Sequence, residues 1–412
     1  MDCTNVGATI CCSQVGCAYE EDFFMSDGIY LKLGASATKD EVKNAIEKQS
    51  KGLFPGAFCK IIDDPAGDPD YCALMHADGA GTKSTLAYIM YKETGNKQAF
   101  KGIAQDSTVM NIDDLLCVGA TDKFLMSNTI GRNAHRVSGE LIKEIIVGYD
   151  SFIEEMKKYG VEIIMTGGET ADVGDLVNTA IVDSTIYVRM PKSKVIDLDN
   201  VKPGNVIVGF ASFGKANYEE KENSGVSSNG LTAARHLLLS KYYADKYPET
   251  YSSSINKEDV YTGKYKFEDK LPDSNLTVGE AILSPTRTYA PIIKNVLDKY
   301  SEDITGIVHC TGGGQVKCKN FGQNLHYIKD NLFETPAIFK AIKENSNIAD
   351  PEMYQVFNMG HRLEIYCEAS VAENIIEISK GFGVDAKIVG RVEENEGGNK
   401  VTIIDKGNTY IY

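Results

Sequence analysis

The segment MHADGAGTKS, residues 75–84, breaks an apolar run into an acid, two glycines and a lysine. A strand that ends in this way is typical of phosphate binding, because glycine lets backbone N–H groups approach an anion closely. The spacing excludes a P-loop, since Thr82 separates Gly81 from Lys83. It also excludes the dinucleotide fingerprint, since Ser84 stands where a third glycine is needed. A tight turn beside a solvated lysine remains the alternative to an anion site.

The bulk composition of the 412 residues is that of an ordinary globular protein, 42% hydrophobic and 25% charged. No apolar stretch approaches the roughly 18 residues of a membrane span. A net charge of −15 argues against nucleic acid or an anionic membrane as the main partner. The ten cysteines form no C-x-x-C pair, which weakens the case for structural zinc. Scattered thiols in a long acidic chain predict a cytoplasmic location.

Residues 1–24 differ in composition from the remainder of the chain. They carry four of the cysteines and no lysine or arginine, and they lead into the acidic run at 20–22. A signal peptide needs a basic start and an apolar centre, so this segment does not fit one. We expect an extension that is not part of the fold.

The rest of the chain alternates between strand-like and helix-like patterns, which predicts an α/β or α+β class. A Pro-Gly turn opens a new strand-like segment at 201–212, so we place a domain boundary just before it. The predicted domains are an N-terminal one at 25–198 and a C-terminal one at 199–412. Residues 241–275 are rich in Tyr, Lys, Asp and Ser without an apolar period, and they are predicted to be a surface insertion.

Apolar residues recur at three- and four-residue spacing from 138 to 159, which predicts an amphipathic helix stopped by Gly160. Elsewhere, three predicted strands end in glycine-rich segments. One such segment is weak evidence for an anion site, and three are better evidence. The segments are DGAGTK at 78–83, TGGETAD at 166–172 and CTGGGQ at 310–315.

A further candidate is the acidic helix predicted at 106–119. At 100° per residue, Asp106, Asp113 and Asp114 fall within an arc of about 100°. A solvated acidic face is the ordinary interpretation of such a pattern. Clustered carboxylates also repel one another, however, and a hard cation relieves that repulsion.

Mg²⁺ usually takes one or two carboxylates together with substrate phosphates. Asp78, Asp114 and Glu169 are therefore candidate magnesium ligands for a nucleoside triphosphate. Lys83 is then predicted to act as a point charge on the phosphates. From the residues alone, the inference ends at a magnesium-nucleotide enzyme without a P-loop.

With these residues in place, the sequence resembles the phosphoribosylformylglycinamidine cyclo-ligase family of purine biosynthesis, also called aminoimidazole ribonucleotide synthetases. Seven motifs occur in the family order over about residues 50–390, and together they are very specific although each alone is not. They are DGAGTK at 78–83, DDL…GA at 113–120, GGETA at 167–171, SNG at 228–230, PTRTY at 285–289, HCTGGG at 309–314 and MYQVFNMG at 353–360.

The resemblance implies the fold and the reaction. It implies an N-terminal α/β domain whose strands form a barrel across a homodimer, and a C-terminal αβ sandwich. ATP and Mg²⁺ bind in a cleft between the domains. ATP activates the formamide oxygen of formylglycinamidine ribonucleotide, and the amidine nitrogen then closes the imidazole with release of ADP and phosphate. Stabilising charge on the phosphoryl group and positioning the reacting atoms are the main tasks of such a site.

The matched motifs also imply roles for individual residues. The catalytic set is Asp78, Lys83, Asp114, Glu169 and His309. The nucleotide-binding set is Gly79, Gly81, Thr82, Asp106, Gly167, Gly168 and Thr170. The substrate-binding set is Asn229, Gly230, Arg287, Thr311, Gly312, Gly313, Gly314 and Asn358.

The sequence departs from the family pattern at three places. Ser227 stands where the family has a histidine before S-N-G, which removes a group that titrates near neutrality. His361 and Arg362 stand where small and apolar residues are expected, and the N-terminal glycine loop is thinned at 53–57. We hypothesise that His361 restores part of the acid–base function lost at Ser227 and so joins the catalytic set. The alternative is that His361 and Arg362 are outward-facing strand residues and that Ser227 is sufficient as a hydrogen-bond donor.

Two other functions remain open. Cys59-Lys60 is a faint echo of the Cys-Lys pair of selenophosphate synthetase, although a buried cysteine is the simpler interpretation. The loss of histidine at Ser227 is also compatible with a non-catalytic ATP-binding scaffold.

Overall fold

A computed structural model describes residues 32–34, 45 and 47–412. The predicted extension at 1–24 lies outside the described residues. Two sheets and the helices packed on them make up the described chain, which confirms the predicted α/β class. Within the described residues, no helix has both the length and the apolar character that crossing a membrane would require.

The first sheet has five strands in the order β1-β2-β5-β3-β4. β3 and β4 are parallel, and the other neighbours are antiparallel. Alternate residues of β5 are buried beneath the helices, so one face of the sheet is covered. The strands are β1 Ile62–Asp63, β2 Tyr71–Gly79, β3 Phe124–Arg132, β4 Ile163–Asp172 and β5 Ala180–Pro191; the helices are α1 Lys83–Thr94, α2 Lys101–Leu116 and α3 Gly139–Lys158.

Helix α3 has the limits that its apolar spacing predicts. Leu141, Ile145 and Tyr149 are buried, and the exposed side carries acids and lysines. Gly160 follows with φ of +76°, a backbone conformation that glycine adopts without the steric cost of a Cβ. The helix pattern is therefore confirmed.

The second glycine-rich segment is not a loop. Residues 166–172 continue β4 and remain paired with β3, as in the pairs Asn128 with Gly168 and Thr129 with Glu169. A register shift precedes these pairs, and a Cβ at Gly168 would lie 1.8 Å from the Asn128 Oδ1. The glycines therefore serve close strand packing rather than a turn, and the predicted strand end at residue 165 is wrong.

The second sheet has seven strands in the order β12-β11-β8-β10-β6-β9-β7, and only β8 and β11 are parallel. The first sheet ends at Pro191 and the second begins at Val206; the limits 25–198 and 199–412 stay predictions. The strands are β6 Val206–Ala211, β7 Ile304–His309, β8 Leu325–Lys329, β9 His361–Cys367, β10 Ala386–Glu394, β11 Lys400–Asp405 and β12 Asn408–Ile411. The helices are α4 Leu231–Leu238, α5 Lys241–Lys246, α6 Val278–Ile282, α7 Ala290–Tyr300, α8 Ala337–Glu344, α9 Asp350–Val356 and α10 Ala369–Gly381.

The larger hydrophobic core runs without interruption from the first domain into the second. Ile112 and Leu116 of α2 belong to the same packed cluster as Phe210 of β6 and Ile293 of α7. The insertion at 241–275 joins this cluster as well, through buried side chains such as Tyr243. The site between the domains is therefore built on continuous packing.

Candidate active site

Helix α2 carries its three acids into the contact between the two domains. Asp106 and Asp113 are fully buried, and Asp114 is 8% exposed. Burial of all three means that the solvated acidic face is the wrong interpretation of this pattern. The partners from the second domain are Thr286 for Asp106, Thr288 and Arg362 for Asp113, and His309 for Asp114.

Lys83 is paired with Asp106 in the interior. The Lys83 Nζ donates to the Asp106 Oδ1 at 2.7 Å and to the Ser284 carbonyl at 2.5 Å. Thr286 donates to the same carboxylate oxygen through its amide at 2.7 Å and its hydroxyl at 2.6 Å. Burial lowers the pKa of Lys83. The ammonium is therefore committed to these partners, and the structure does not place it as a charge reaching toward phosphates.

Asp114 accepts hydrogen bonds from two imidazoles. The His309 Nδ1 lies 2.6 Å from its Oδ1, and the His309 Nε2 lies 2.6 Å from the Arg362 Nη1. Because a guanidinium nitrogen only donates, the Nε2 must accept, and the ring proton is on Nδ1. Burial and the charge of Arg362 lower the pKa of His309 to about 3. His309 is thus a neutral, buried bridge between Arg362 and Asp114.

His76, the second imidazole, belongs to the segment quoted first but was missed as a site residue. The Asn111 Nδ2 donates to three backbone carbonyls, one of them of Asp78, so its Oδ1 must accept from the His76 Nδ1 at 3.0 Å. The His76 Nε2 lies 3.2 Å from the Asp114 Oδ2, which also can only accept. Both ring nitrogens face oxygen acceptors, an arrangement that favours the imidazolium form of His76. Burial opposes this charge, but the hydrogen bond to Asp114 raises the pKa of His76.

Asp78 and Glu169 lie on the first sheet but not beside each other. Gly79 pairs with Asp183 of β5, Asp183 pairs with Thr129 of β3, and Thr129 pairs with Glu169 of β4. Since β4 is the third strand from β2, Glu169 lies about 14 Å from β2 at the usual strand spacing. The expected convergence of Asp78, Asp114 and Glu169 is therefore not seen within one chain.

Asp183 is the acid that the sequence patterns missed. A Cβ at Gly79 would lie 1.8 Å from the Asp183 Oδ1, so the first glycine of the motif makes room for this carboxylate. Burial and the charge of Asp78 raise the pKa of Asp183, as close carboxylates require. Carboxylate oxygens are hard donors suited to Mg²⁺, so each acid fits that ion, but Asp78 pairs with Ser184 and Asp183 with Gly79, which directs the two side chains to opposite faces of the sheet. The other predicted nucleotide residues of β4, which lie with Glu169, are Gly167, Gly168 and Thr170.

The N-termini of α1 and α4 meet between the domains. The Thr82 Oγ1 lies 3.2 Å from the Thr232 Oγ1, and neither helix has a side-chain cap or an acid in its first turn. The Ser227 Oγ and the Asn229 Oδ1 are buried nearby in sequence without a hydrogen-bond partner. Gly230 begins α4 with φ of +72°. The uncapped N–H groups and the unpaired Ser227 hydroxyl, which can donate, favour an anion here, whereas the Asn229 Oδ1 can only accept and needs a donor.

The loop Thr311–Gly314 leads from β7 into a short 3₁₀ helix. Gly313 has φ of +96°, whereas a Cβ at Gly312 would meet nothing within 4 Å. The Lys317 Nζ donates to the Thr311 Oγ1 at 2.6 Å, and its charge helps to lower the pKa of Asp114 against the effect of burial. The loop is thus electrostatically coupled to Asp114, and Lys317 is a third residue, after His76 and Asp183, that the motifs missed.

Three predicted site residues have structural partners instead. Arg287 is buried and donates to Glu219 and to three backbone carbonyls. The Asn358 side chain accepts from Ser212 and Gly360 and donates to the Gly225 carbonyl, all within the second domain. The His361 Nε2 lies 2.8 Å from the Glu364 Oε1 in the interior of the second sheet. The catalytic role predicted for His361 and the substrate roles of Arg287 and Asn358 have no support in these contacts.

Comparison with known proteins agrees with this architecture. Residues 59–187 match the family described as AIR synthase related protein, N-terminal domain, and residues 202–402 match its C-terminal domain. The chain belongs to the AIR synthase related family. The two matches lie on the first and second sheets respectively, so the family assignment made from seven motifs is confirmed.

Relatives within the AIR synthase family are named phosphoribosylformylglycinamidine cyclo-ligase. The Methanococcus vannielii protein is 32% identical over 327 residues, 79% of either chain. The Methanocaldococcus jannaschii protein is 31% identical over 336 residues, 81% of this chain and 82% of its own. The Methanococcus maripaludis (strain C7) protein is 30% identical over 376 residues, 91% of this chain and 90% of its own.

Two solved structures share the fold at low identity. T. maritima PurL complexed with FGAR has a TM-score of 0.54 and 15% identity; the match covers 91% of this chain and 49% of that one, so this chain spans about half of it. AaThiL complexed with AMPPCP and TMP has a TM-score of 0.51 and 13% identity, and the match covers 90% and 92% of the two chains. These likenesses support the two-domain fold alone.

Proposed function

We propose that this member of the AIR synthase family is a phosphoribosylformylglycinamidine cyclo-ligase. It uses ATP to convert formylglycinamidine ribonucleotide into aminoimidazole ribonucleotide, with release of ADP and phosphate. The observation that carries this function is the identity of 30–32% to relatives of that name over 79–91% of the chain. The region between the two domains is consistent with this reaction, because it contains both an anion site and carboxylates.

Different residues of the chain bind the substrate phosphate and stabilise charge on the transferring phosphoryl group. The ribose phosphate binds at the junction of α1 and α4, where Thr82, Thr232 and the first amides of α4 donate to it. Asp78 and Asp183 would supply carboxylate ligands to Mg²⁺, which would neutralise charge on the transferring phosphoryl group. His76 lies close enough to Asp78 for the carboxylate charge to raise the pKa of the imidazole, which favours a positive charge there. Electrostatic stabilisation of this kind is usually the largest catalytic contribution.

The outer face of the first sheet is the surface that we propose for a homodimer. Met75 pairs with Tyr187, Tyr187 with Leu125 and Leu125 with Ile164, so one row of large apolar side chains crosses four strands. Met75 is 66% exposed, and its neighbours Leu125 and Ile164 are exposed too. Glu169 shares this outer face, so a partner chain that covers it would bring a second copy of Glu169 toward the sheet. A contiguous apolar patch of this kind marks an interaction site.

Replacing Leu125 with glutamate is expected to give a monomer. Burying an unpaired glutamate at the centre of an apolar interface has a large unfavourable desolvation free energy. The dimer association constant should therefore fall by at least about 100-fold. The measurement is molar mass by sedimentation equilibrium across a concentration series. Leu176→Glu is the matched control, because Leu176 is 85% exposed and lies outside the row. A dimer that survives Leu125→Glu unchanged would place the interface elsewhere.

Aminoimidazole ribonucleotide is expected when the purified protein is incubated with Mg²⁺, ATP and formylglycinamidine ribonucleotide. Product and ADP should appear in equal amounts, measured by chromatography, and neither should form without the ribonucleotide. ATP consumption with selenide but not with the ribonucleotide would favour the selenophosphate synthetase alternative. ATP binding without any turnover would favour the scaffold.

A further inference from the structure

The insertion at 241–275 belongs to the second domain and contacts helix α1 of the first. Glu93, in the last turn of α1, accepts from the Lys246 Nζ at 2.8 Å and from the hydroxyls of Tyr247 and Tyr242. Its side chain is only 16% exposed. Three donors from one insertion therefore converge on a single carboxylate of the other domain.

A second link lies nearer the start of the same helix. The Tyr88 hydroxyl donates to the Glu249 Oε1 at 2.7 Å, and the Tyr88 ring packs edge-on against Tyr247. Tyr88 is itself buried, so the insertion covers the helix rather than merely touching it. The two links fix the outer side of α1 over more than one turn.

Arg235 joins the insertion to the start of both helices. This arginine of α4 is buried, and its Nη1 donates to the Thr250 carbonyl at 2.6 Å, to the Tyr261 hydroxyl at 2.8 Å and to the Thr85 Oγ1 at 3.4 Å. Thr250 and Tyr261 belong to the insertion, and Thr85 to the first turn of α1. Among the described residues no carboxylate lies within ion-pair distance of this guanidinium. It therefore depends on neutral acceptors that the insertion supplies.

We propose that residues 241–275 are an inter-domain clasp that holds the N-terminus of α1 against the N-terminus of α4. Thr85 and Arg235 lie one turn beyond Thr82 and Thr232, the hydroxyls that meet at the junction. The contact between Thr85 and Arg235 therefore also fixes the positions of Thr82 and Thr232. It sets the distance between the uncapped N–H groups of α1 and those of α4. Glu93 is a positioning residue in this arrangement, since it acts through α1.

The clasp rests on the proposed function only for the identity of the anion. Helix N-termini attract an anion of either the ribonucleotide or another phosphate compound. What the clasp itself controls is the rigidity and spacing of the junction in the free protein. These can be measured without turnover.

The test is amide hydrogen exchange in the free protein, followed by protection on titration with formylglycinamidine ribonucleotide. Glu93→Gln keeps the shape of the side chain and removes the charge that Lys246 and two hydroxyls address. We expect exchange in residues 83–88 to rise about tenfold and the ribonucleotide concentration for half-protection of residues 231–235 to rise about tenfold, with kcat nearly unchanged. The exchange of charges in Glu93→Lys with Lys246→Glu should restore both values.

Glu140→Gln is the matched control, because it removes an exposed glutamate–lysine pair with Lys97 within the first domain. Unchanged exchange in α1 of Glu93→Gln would overturn the clasp. Faster exchange with unchanged protection would overturn its link to the anion site. If Glu93→Gln shows the exchange effect but the wild-type protein makes no aminoimidazole ribonucleotide, the clasp stands and the proposed function fails.

Discussion

Replacing Arg362 with methionine is expected to lower the free energy of unfolding by about 3–5 kcal/mol. The guanidinium is 1% exposed and donates to the Asp113 Oδ2 at 2.9 Å, to the Arg287 carbonyl and to His309. Burial raises the pKa of Asp113 to about 6, so this carboxylate is still ionised at neutral pH. Removing the Arg362 guanidinium leaves the buried Asp113 carboxylate without a cation. Urea denaturation followed by far-ultraviolet circular dichroism measures the loss.

Arg391→Met is the matched control for this prediction. Arg391 is on the same sheet and also pairs with carboxylates, those of Asp330 and Glu393, but its side chain is 47% exposed. Water screens exposed pairs, so this variant should lose at most about 1 kcal/mol. The double variant Asp113→Leu with Arg362→Met should regain part of the loss, because no buried charge is left unpaired. Equal losses for Arg362→Met and Arg391→Met would contradict the account.

Local patterns were sufficient to predict helix α3 but not the end of strand β4. The apolar spacing of α3 and the glycine that ends it are properties of neighbouring residues. Both ends of the helix could therefore be predicted to within two residues. The segment TGGETAD was misread for the same reason. Its glycines allow a turn, but whether the chain turns depends on β3, which offers a pairing partner from outside the segment.

The environment of the acids on α2 could not be predicted from their spacing. The same spacing of carboxylates is expected for a helix face exposed to solvent and for one buried against another domain. Asp113 meets Arg362, which lies 249 residues further along the chain, and only the folded structure brings them together. Arg287 shows the converse, since a residue in a specific motif turned out to be bonded to Glu219 rather than placed for a ligand.

Cys59 illustrates how the structure separates the competing functions. Its thiol is half-buried and donates to the Asp114 carbonyl at 3.4 Å. Burial raises the pKa of Cys59 well above its usual value, so the thiolate that selenium or sulfur chemistry needs is disfavoured. The contacts of Cys59 therefore support the interpretation as a small packed side chain.

Replacing Asp114 with asparagine is expected to reduce ATP turnover by at least about 100-fold while the protein stays folded. Both carboxylate oxygens accept from an imidazole N–H, at 2.6 Å from His309 and 3.2 Å from His76. An amide has only one acceptor atom, so its NH₂ group would face one of the two N–H groups. His76 would then lose its anionic partner, and with it the stabilisation of its positive charge beside Asp78. Steady-state kinetics together with a melting curve measure the two quantities.

The dependence of this loss on Mg²⁺ separates two physical origins. If Asp114 were itself a magnesium ligand, raising the Mg²⁺ concentration should return much of the activity, because a weakened site fills at higher concentration. The structure favours the other origin, since the two oxygens of the Asp114 carboxylate each face an imidazole nitrogen. We therefore expect Mg²⁺ to rescue Asp183→Asn in part and Asp114→Asn hardly at all. Asp150→Asn, an exposed acid of α3, should behave as wild type. Rescue of Asp114→Asn by Mg²⁺ would instead make Asp114 a magnesium ligand.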